Sequence, residues 1–220
     1  MKDQPTMMGP MGELILLRHG QTEWSRDGRH TGRTDVALTP EGIADAASLA
    51  PMLARRHLAA VFTSPASRAR QTAELAGLDG GDGRYPVKSD PDLWEWDYGG
   101  YEGMTTAQIR EQRPGWYLWR DGVVPGGPGH PGESVESVGA RADRVLERAS
   151  AFLADGGGDV ALVAHGHVLR VLTARWLGLP PADGRLFRLD TGTVSTLGTE
   201  HDEPVILTWN VPPAGWGVTR

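Results

Sequence analysis

The amino-acid sequence predicts an α/β fold, a three-layer sandwich with a mostly parallel central sheet and helices on both faces. The first observation is a set of short, continuously apolar runs, such as LILL at 14–17, which are typical of strands buried on both faces. The second is that amphipathic helical stretches alternate with these runs. The third is that the runs stop abruptly at polar residues, where open α/β sheets place their ligands.

The first element is the strand at 14–17, which ends at Arg18-His19-Gly20. A helix then begins at Pro40, because Thr39 supplies an N-cap and proline fits the first helical position. The predicted buried face of this helix comprises Ile43, Ala46, Ala47, Leu49 and Leu53. The later elements are a strand at 59–62, a helix at 66–76, a short strand within 86–93, a helix at 105–112, a long helix from Ser134 to about residue 154, a strand at 159–164, a helix at 169–177, and two antiparallel edge strands at 194–197 and 205–209.

Residues 13–220 are expected to form one domain, preceded by a loose lead-in at 1–12. The stretch GVVPGGPGHPG at 122–132 contains too much glycine and proline for regular structure. It is either a linker between domains or a loop that acts as a lid over a site, and the sequence leaves both interpretations open.

The composition narrows the classes of partner and compartment. A formal net charge of −6 gives no general reason to expect nucleic acid or an anionic membrane as a partner. The absence of cysteine excludes disulfides and thiolate metal sites. The N-terminal stretch lacks the apolar core of a signal peptide, and no run approaches the ~18 apolar residues of a membrane span. We therefore expect a cytoplasmic protein.

The polar ends of three predicted strands can converge. They are Arg18-His19-Gly20, Thr63-Ser64 with Arg68 just beyond, and His165-Gly166-His167. Because the carboxyl ends of parallel strands meet at one edge of a sheet, two arginines and two histidines would form a cationic pocket there. Guanidinium groups bind phosphate or carboxylate oxygens in pairs. The sequence thus predicts a site for a small anion.

Four segments occur in a characteristic order: LRHGQTEW at 17–24, TSPASRARQTAE at 63–74, EWDYGGYEG at 95–103 and VAHGHVLR at 163–170. Together they resemble the histidine phosphatase superfamily, in its phosphoglycerate mutase-like branch. The third segment is most similar to small broad-specificity acid phosphatases and sugar-bisphosphate phosphatases. The resemblance implies the phosphoglycerate mutase-like form of the sandwich, and a metal-independent phosphatase that uses no cofactor.

The resemblance also implies the principal roles. His19 is the nucleophile that accepts the phosphoryl group, and Glu95 is the proton donor. Arg18, Arg68 and a protonated His165 hold the phosphoryl oxygens and supply the positive charge for which another enzyme would use a metal ion. We expect the second ring nitrogen of His19 to donate to a carbonyl, so that the attacking lone pair is fixed.

Further contacts with substrate or phosphate follow from the same resemblance. The residues concerned are Gln21, Ser25, Thr31, Gly32, Tyr98, Gly166 and His167. Relatives often carry Asn where this chain has Ser25, so the sequence does not decide whether Ser25 contacts the phosphate. Three tryptophans beside the motifs are candidates for walls of the pocket: Trp24, Trp94 and Trp96.

Two alternatives concern single residues. Arg70 competes with Arg68, but residues two apart on a helix point to different faces, and the motif register selects Arg68. The segment 165–167 with His30 could indicate a metal site. No matching carboxylate ligand accompanies these histidines, so we expect no metal.

The chain is predicted to be a phosphatase acting on a small phosphate monoester, either a sugar phosphate or a broader range. The alternatives are a cofactor-dependent phosphoglycerate mutase and a non-catalytic module that binds phospho-ligands. Family mutases carry a lysine where this chain has Thr106, and an arginine pair where it offers a single Arg120. Arg120 and His130 could instead meet a second anionic group of the substrate. The sequence does not decide whether the protein forms a homodimer.

Overall fold

The computed structural model describes residues 12–81 and 83–213, so the predicted lead-in lies almost wholly outside the described residues. Its six strands are β1 (Leu14–Arg18), β2 (Leu58–Thr63), β3 (Val87–Ser89), β4 (Asp159–Ala164), β5 (Val194–Glu200) and β6 (Glu203–Val211). They form one sheet in the order β3-β2-β4-β1-β5-β6. β3, β2, β4 and β1 pair in parallel, whereas β5 and β6 add antiparallel pairs. The predicted α/β sheet with an antiparallel edge is confirmed.

The helices are α1 (Glu23–Arg26), α2 (Pro40–Ser48), α3 (Ala50–Leu53), α4 (Ser67–Leu75), α5 (Thr106–Gln112), α6 (Leu118–Asp121), α7 (Val135–Ala154) and α8 (Gly166–Trp176). Short 3₁₀ turns occur at Pro91–Leu93 and Pro181–Leu186. Both predicted N-caps are present. The Thr39 hydroxyl accepts from the N–H of Gly42 at 3.0 Å, and the Ser134 hydroxyl accepts from the N–H of Ser137 at 3.1 Å.

Two apolar cores lie on opposite faces of the sheet. Leu14 and Leu16 of β1 belong to the core that includes residues of α5, α7 and α8. Ile15 and Leu17, which point the other way, belong to the core that includes residues of α3 and α4. Side chains alternate across a strand, so an unbroken apolar run serves both helical layers. This alternation makes the three-layer sandwich.

The structure corrects the predicted buried face of α2. Ile43 is 38% exposed and Ala47 is also exposed, although both were expected to face inward. The reason is the close approach of Gly42 to the turn after β1, where an added Cβ would lie 2.2 Å from the carbonyl oxygen of Gln21. With Gly42 and Ala46 turned inward, Ile43 is rotated towards solvent.

The helix after β4 begins earlier than the sequence predicted. α8 starts at Gly166, directly after the strand, rather than at residue 169. His167 and Val168 therefore lie in its first turn, whose backbone N–H groups have no partner within the helix. No helix in the described ranges combines the length and the apolar character needed to cross a membrane.

Candidate active site

Three neighbouring strands end at the same edge of the sheet, as predicted. β4 lies between β1 and β2, so the residues that follow each strand meet there. The N–H of His19 donates to the carbonyl of Ala164 at 2.9 Å, and the rings of His19 and His165 have centroids 5.1 Å apart. The N–H of Ser64 donates to the carbonyl of Val163 at 2.9 Å. The sheet itself brings these side chains together.

His19 is buried, with 5% of its surface exposed, and its ring is oriented by the backbone. Nδ1 lies 2.7 Å from the carbonyl oxygen of Gly20, and because a carbonyl only accepts, Nδ1 carries the proton. Burial lowers the pKa of His19 well below its usual value, and the positive charges of Arg68 and Arg18 lower it further. Nε2 has no hydrogen-bond partner in the described ranges and keeps a free lone pair. His19 thus has the form that a nucleophile requires.

The turn that carries His19 depends on two glycines. The N–H of Gly20 donates to the hydroxyl of Thr72 on α4 at 3.0 Å. A Cβ at Gly20 would lie only 2.4 Å from the carbonyl oxygen of Gly42, so the turn and α2 approach each other backbone to backbone. A larger residue at position 20 would displace the nucleophile.

Arg18 is a buried cation beside the nucleophile. Its Nη1 donates to the carbonyl of Leu189, and its Nε is buried without an acceptor among the described residues. Burial lowers the pKa of Arg18 from its ordinary value, while the charge of Glu95 opposes that shift. Gly166 lies directly against it, since an added Cβ would be 3.1 Å from Cζ of the guanidinium. An anionic oxygen would satisfy the free donor.

Arg68 and His165 form a second buried pair. Arg68 is completely buried and donates from Nε to Nδ1 of His165 at 3.2 Å. Its two terminal nitrogens donate to the carbonyls of Thr34 at 2.9 Å and Gly32 at 3.0 Å. Nε2 of His165 lies 2.7 Å from the hydroxyl of Ser64. Three of the five guanidinium N–H groups are thus used to fix the arginine.

The expectation that His165 is protonated is wrong for this arrangement. Nδ1 accepts from Arg68 and therefore carries no proton. Burial lowers the pKa of His165 well below its usual value, and Arg68 and His19 contribute to the shift. The positive charge of the site comes from the two arginines instead. Both ring nitrogens of His165 are engaged by protein groups, which also argues against the alternative of a metal site at 165–167.

Glu95 is held at the N-terminus of α8. Its Oε1 accepts from the N–H groups of Trp96 and Val168, each at 2.9 Å, and its Oε2 accepts from the N–H of His167 at 2.9 Å. The residue is buried, with 5% of its surface exposed. Two of these donors, the N–H groups of His167 and Val168, belong to the otherwise unpaired first turn of the helix. Oε2 carries only one hydrogen bond and is the oxygen with capacity for a proton.

Tyr98 and His167 complete the polar part of the site. The Tyr98 hydroxyl lies 2.6 Å from Nδ1 of His167. Burial raises the pKa of Tyr98 well above its usual value, so the phenol keeps its proton. Burial likewise lowers the pKa of His167 well below its usual value, and the nearby charge of Arg170 adds to this effect. Both groups are therefore neutral and polar near pH 7.

A cavity of about 180 Å³ opens beside His19. Seven of the predicted site residues line it: Arg18, His19, Ser25, Thr31, Glu95, Tyr98 and His167. Five do not: Gln21, Gly32, Arg68, Gly166 and His165. Gln21 instead accepts from the Thr39 hydroxyl at 3.1 Å, whereas Gly32 accepts from Arg68. Ser25 also belongs to the capping box of α1. The expected substrate contacts therefore divide into cavity-lining residues and residues that support them.

Sequence reasoning missed three lining residues, Gly28, Arg29 and His30. They adjoin Thr31 in the polar segment 27–34, and this adjacency was the available signal. Trp24, Trp94 and Trp96 are not among the residues that line the cavity. Trp96 is fully buried and donates from Nε1 to the carbonyl of Glu133, as expected of a core tryptophan.

The stretch 122–132 braces the segment that carries Glu95. The N–H of Gly100 donates to the carbonyl of Val124 at 2.8 Å, and none of the residues 122–132 lines the cavity. Glu133, which follows this stretch, accepts from the N–H of Asp97 at 3.0 Å and forms an ion pair with the buried Arg141 at 3.0 Å. The stretch therefore packs against the segment that carries Glu95.

The two residues that could have bound a second anionic group of the substrate lie outside the cavity. Arg120 is paired with Asp121 at 2.8 Å on the surface, and His130 lies 4.0 Å from Glu102. Thr106, at the position of the mutase lysine, has its hydroxyl 3.3 Å from Nε2 of His30. Neither Arg120 nor His130 lines the cavity. The suggestion that they bind the substrate is not supported.

Comparisons with known proteins agree with this geometry. The family model of the histidine phosphatase superfamily (branch 1) matches residues 14–212. An acid phosphatase from Mycobacterium tuberculosis is 41% identical over 191 residues, covering 86% of this chain and 87% of the relative. A sedoheptulose 1,7-bisphosphatase from Saccharomyces cerevisiae is 37% identical over 189 residues, covering 75% of this chain and 67% of the relative.

A solved structure extends the likeness to three dimensions. The structure of the open reading frame Rv3214 from Mycobacterium tuberculosis superposes with a TM-score of 0.81 at 36% identity, covering 92% of this chain and 98% of that one. The predicted phosphoglycerate mutase-like sandwich is thereby confirmed. The motif order, the meeting of three strand ends around His19 and these matches lead to one conclusion: the chain belongs to the histidine phosphatase superfamily, branch 1.

Proposed function

We propose that this protein is a metal-independent phosphomonoesterase that hydrolyses small phosphate esters through a phosphohistidine at His19. The observation that carries the proposal is the ring of His19, neutral and fixed through Nδ1, with the Nε2 lone pair free beside the buried Arg18. The names of the relatives support the substrate class. One is an acid phosphatase, and another is a phosphatase of a sugar bisphosphate.

In the first step, Nε2 of His19 forms a bond to phosphorus while the ester P–O bond breaks. The proton stays on Nδ1, and its hydrogen bond to the carbonyl of Gly20 stabilises the positive imidazole that results. Arg18 and Arg68 stabilise the charge on the equatorial oxygens of the phosphoryl group. The leaving oxygen takes a proton from Oε2 of Glu95, so the alcohol departs neutral.

In the second step, a water molecule attacks the phosphorus of phosphohistidine. Its oxygen forms the new P–O bond as the N–P bond breaks, and its proton returns to Oε2 of Glu95. Inorganic phosphate leaves, and His19 regains its neutral form. The three N–H groups that hold Glu95 fix the carboxyl group in one place for both transfers.

Water is the expected acceptor, rather than a second substrate molecule. A mutase must retain a bisphosphorylated intermediate, and the clamp that would do so is missing here, since Thr106 bonds to His30 and Arg120 pairs with Asp121. A non-catalytic module that binds phospho-ligands would not need Glu95 placed beside the nucleophile. We therefore favour hydrolysis over both alternatives.

Phosphate release from p-nitrophenyl phosphate, measured with and without chelator, tests the proposal. We expect turnover that chelator does not change, that His19→Ala abolishes, and that leaves a ³²P-labelled phosphohistidine when quenched with acid-free denaturant. Activity that disappears with chelator would refute metal independence. Full activity in His19→Ala would refute the nucleophile. Interconversion of phosphoglycerates without phosphate release would establish a mutase instead.

Glu95→Gln tests the proton donor separately. Loss of the acid should slow alkyl phosphates, whose leaving alkoxides need a proton, by about 10²–10⁴-fold. The loss for p-nitrophenyl phosphate should be smaller, because nitrophenolate leaves without one. Equal losses for both kinds of ester would contradict the role of Glu95 as the acid.

The proposal also covers the partners of the enzyme and its location in the cell. We infer a small-molecule substrate, with neither nucleic acid nor a membrane as partner, and a cytoplasmic location. The net charge of −6 supports the inference that neither nucleic acid nor an anionic membrane is a partner. Sedimentation analysis would decide between a monomer and a homodimer, and fractionation of cells that produce the protein would test the compartment.

A further inference from the structure

One cation that lines the cavity forms neither a hydrogen bond nor an ion pair through its side chain with any described residue. Arg29 lies on the cavity wall with Arg18 and His19 and is exposed to solvent, which places it at the rim. In the described ranges, its guanidinium makes neither a hydrogen bond nor an ion pair. Its Cζ lies 6.0 Å from the centroid of the Trp24 ring. A free guanidinium beside a phosphate site is available to a ligand.

The backbone of Arg29 is fixed although its side chain is exposed. Its N–H donates to the carbonyl of Trp24 at 2.9 Å, and residue 29 forms an isolated antiparallel bridge with Thr105. The next residue, His30, exchanges backbone hydrogen bonds with Met104 and Gly103 at 2.9 and 2.8 Å. The guanidinium is therefore presented from an anchored position beside the cavity rather than from a loose loop.

The other cavity-lining groups do not compete for this role. Arg18 binds the oxygens of the reacting phosphate in the proposed mechanism. Burial lowers the pKa of His30 to about 4 and that of His167 well below its usual value, so both rings are neutral near pH 7. Glu95 carries no positive charge and serves as the proton donor in the proposed mechanism. Arg29 is thus the remaining positive charge among the described lining residues.

We propose that Arg29 binds a second anionic group, phosphate or carboxylate, on the leaving-group side of the substrate. The inference rests on the proposed function and specifies its substrate class as phosphate esters that carry two anionic groups. A planar guanidinium can bind two oxygens of either group at once. Because Arg29 is at the rim, it selects the substrate without taking part in bond breaking, and its effect is expected mainly in KM.

The test compares substrate pairs that differ by one anionic group. Fructose 1,6-bisphosphate against fructose 6-phosphate tests a second phosphate, and 3-phosphoglycerate against glycerol 3-phosphate tests a carboxylate. For each pair, the preference is the ratio of kcat/KM for the two-anion ester to that for the one-anion ester. We expect the wild type to prefer two anions in at least one pair. Arg29→Gln should reduce that ratio by about tenfold, and Arg29→Lys by less.

Arg26→Gln is the matched control. Arg26 is also exposed and lies three residues away, but it pairs with Asp27 at 3.2 Å and Glu23 at 3.9 Å. Its replacement should leave every ratio unchanged. A wild type without preference in either pair, or an Arg29→Gln variant with unchanged ratios, would overturn the inference. So would an equal change in Arg26→Gln, because the effect would then be one of general surface charge.

A binding measurement separates this inference from the proposed function. In the His19→Ala background, which the mechanism predicts to be inactive, calorimetry with the same esters reports affinity without turnover. Replacement of Arg29 should weaken the two-anion ester by about tenfold relative to its one-anion partner. If no ester is hydrolysed by the wild type but this difference persists, the proposed function fails and the second-anion site stands. If p-nitrophenyl phosphate is hydrolysed but the difference is absent, only the second-anion site fails.

Discussion

Acidification should destabilise this protein, and His30 is the residue with which to measure the effect. Its ring packs against Tyr98 at 4.8 Å and Trp116 at 5.5 Å between centroids, and its Nε2 lies 3.3 Å from the Thr106 hydroxyl. Burial lowers the pKa of His30 from its ordinary value of 6.5 to about 4. The native protein therefore keeps this ring neutral in conditions where the unfolded chain protonates it.

The sign and size of the effect follow from proton linkage. Between pH 6.5 and about 4, the unfolded chain binds more protons at His30 than the native protein does, so the free energy of unfolding falls as the pH falls. Each pH unit in this window is worth about 1.4 kcal/mol, which gives a loss of about 2 kcal/mol at pH 5. A typical domain is stable by only about 5–15 kcal/mol, so the loss from one histidine is measurable.

The assay is urea denaturation followed by far-ultraviolet circular dichroism at pH 8, 6.5 and 5. His30→Gln removes the titrating group and keeps a polar atom for Thr106, so it should lose about 2 kcal/mol less than the wild type between pH 8 and 5. His57→Gln, at an exposed histidine, should behave as the wild type does. Parallel losses in the wild type and His30→Gln would refute the reasoning, because His30 would then titrate normally in the native state.

Two further predictions concern residues that support the site. Glu133→Gln removes the charge that pairs with the buried Arg141 and should lower the free energy of unfolding by about 3 kcal/mol, measured by urea denaturation. A loss below about 0.5 kcal/mol would contradict the importance of this pair. Gly20→Ala would place a Cβ 2.4 Å from the carbonyl oxygen of Gly42, and the displaced nucleophile should reduce phosphate release by about tenfold or more. Gly127→Ala has nothing within 4 Å and should retain full activity, so equal activities in the two variants would argue against the close approach.

Much of the fold was predictable because its strands are buried on both faces. Continuous apolar runs and their polar ends are local features, and they identify the sheet edge at which His19 and His165 meet. The position just beyond β2 left Arg68 and Arg70 as candidates, and the motif register selected Arg68. The rotation of α2 was not predictable, because it depends on the approach of Gly42 to a turn more than 20 residues earlier.

The details that depend on tertiary contacts could not be predicted from the sequence. Glu95 is bound by backbone N–H groups of α8, and its contact with His167 spans 72 residues. The neutral state of His165 depends on the direction from which Arg68 donates, which no local pattern encodes. Arg29 lacked a motif of its own, and only its position on the cavity wall and the absence of a partner among the described residues distinguish it from other surface arginines.

The insertion of β4 between β1 and β2 has a consequence for how activity is acquired. The hydrogen bond between Ser64 and His165 closes a loop of 101 residues, and that between Arg68 and His165 closes one of 97. No fragment that ends before residue 165 can hold an arginine against this histidine. Catalytic competence should therefore emerge only after β4 has paired between β1 and β2, so the recovery of turnover after denaturation should report when β4 joins the sheet.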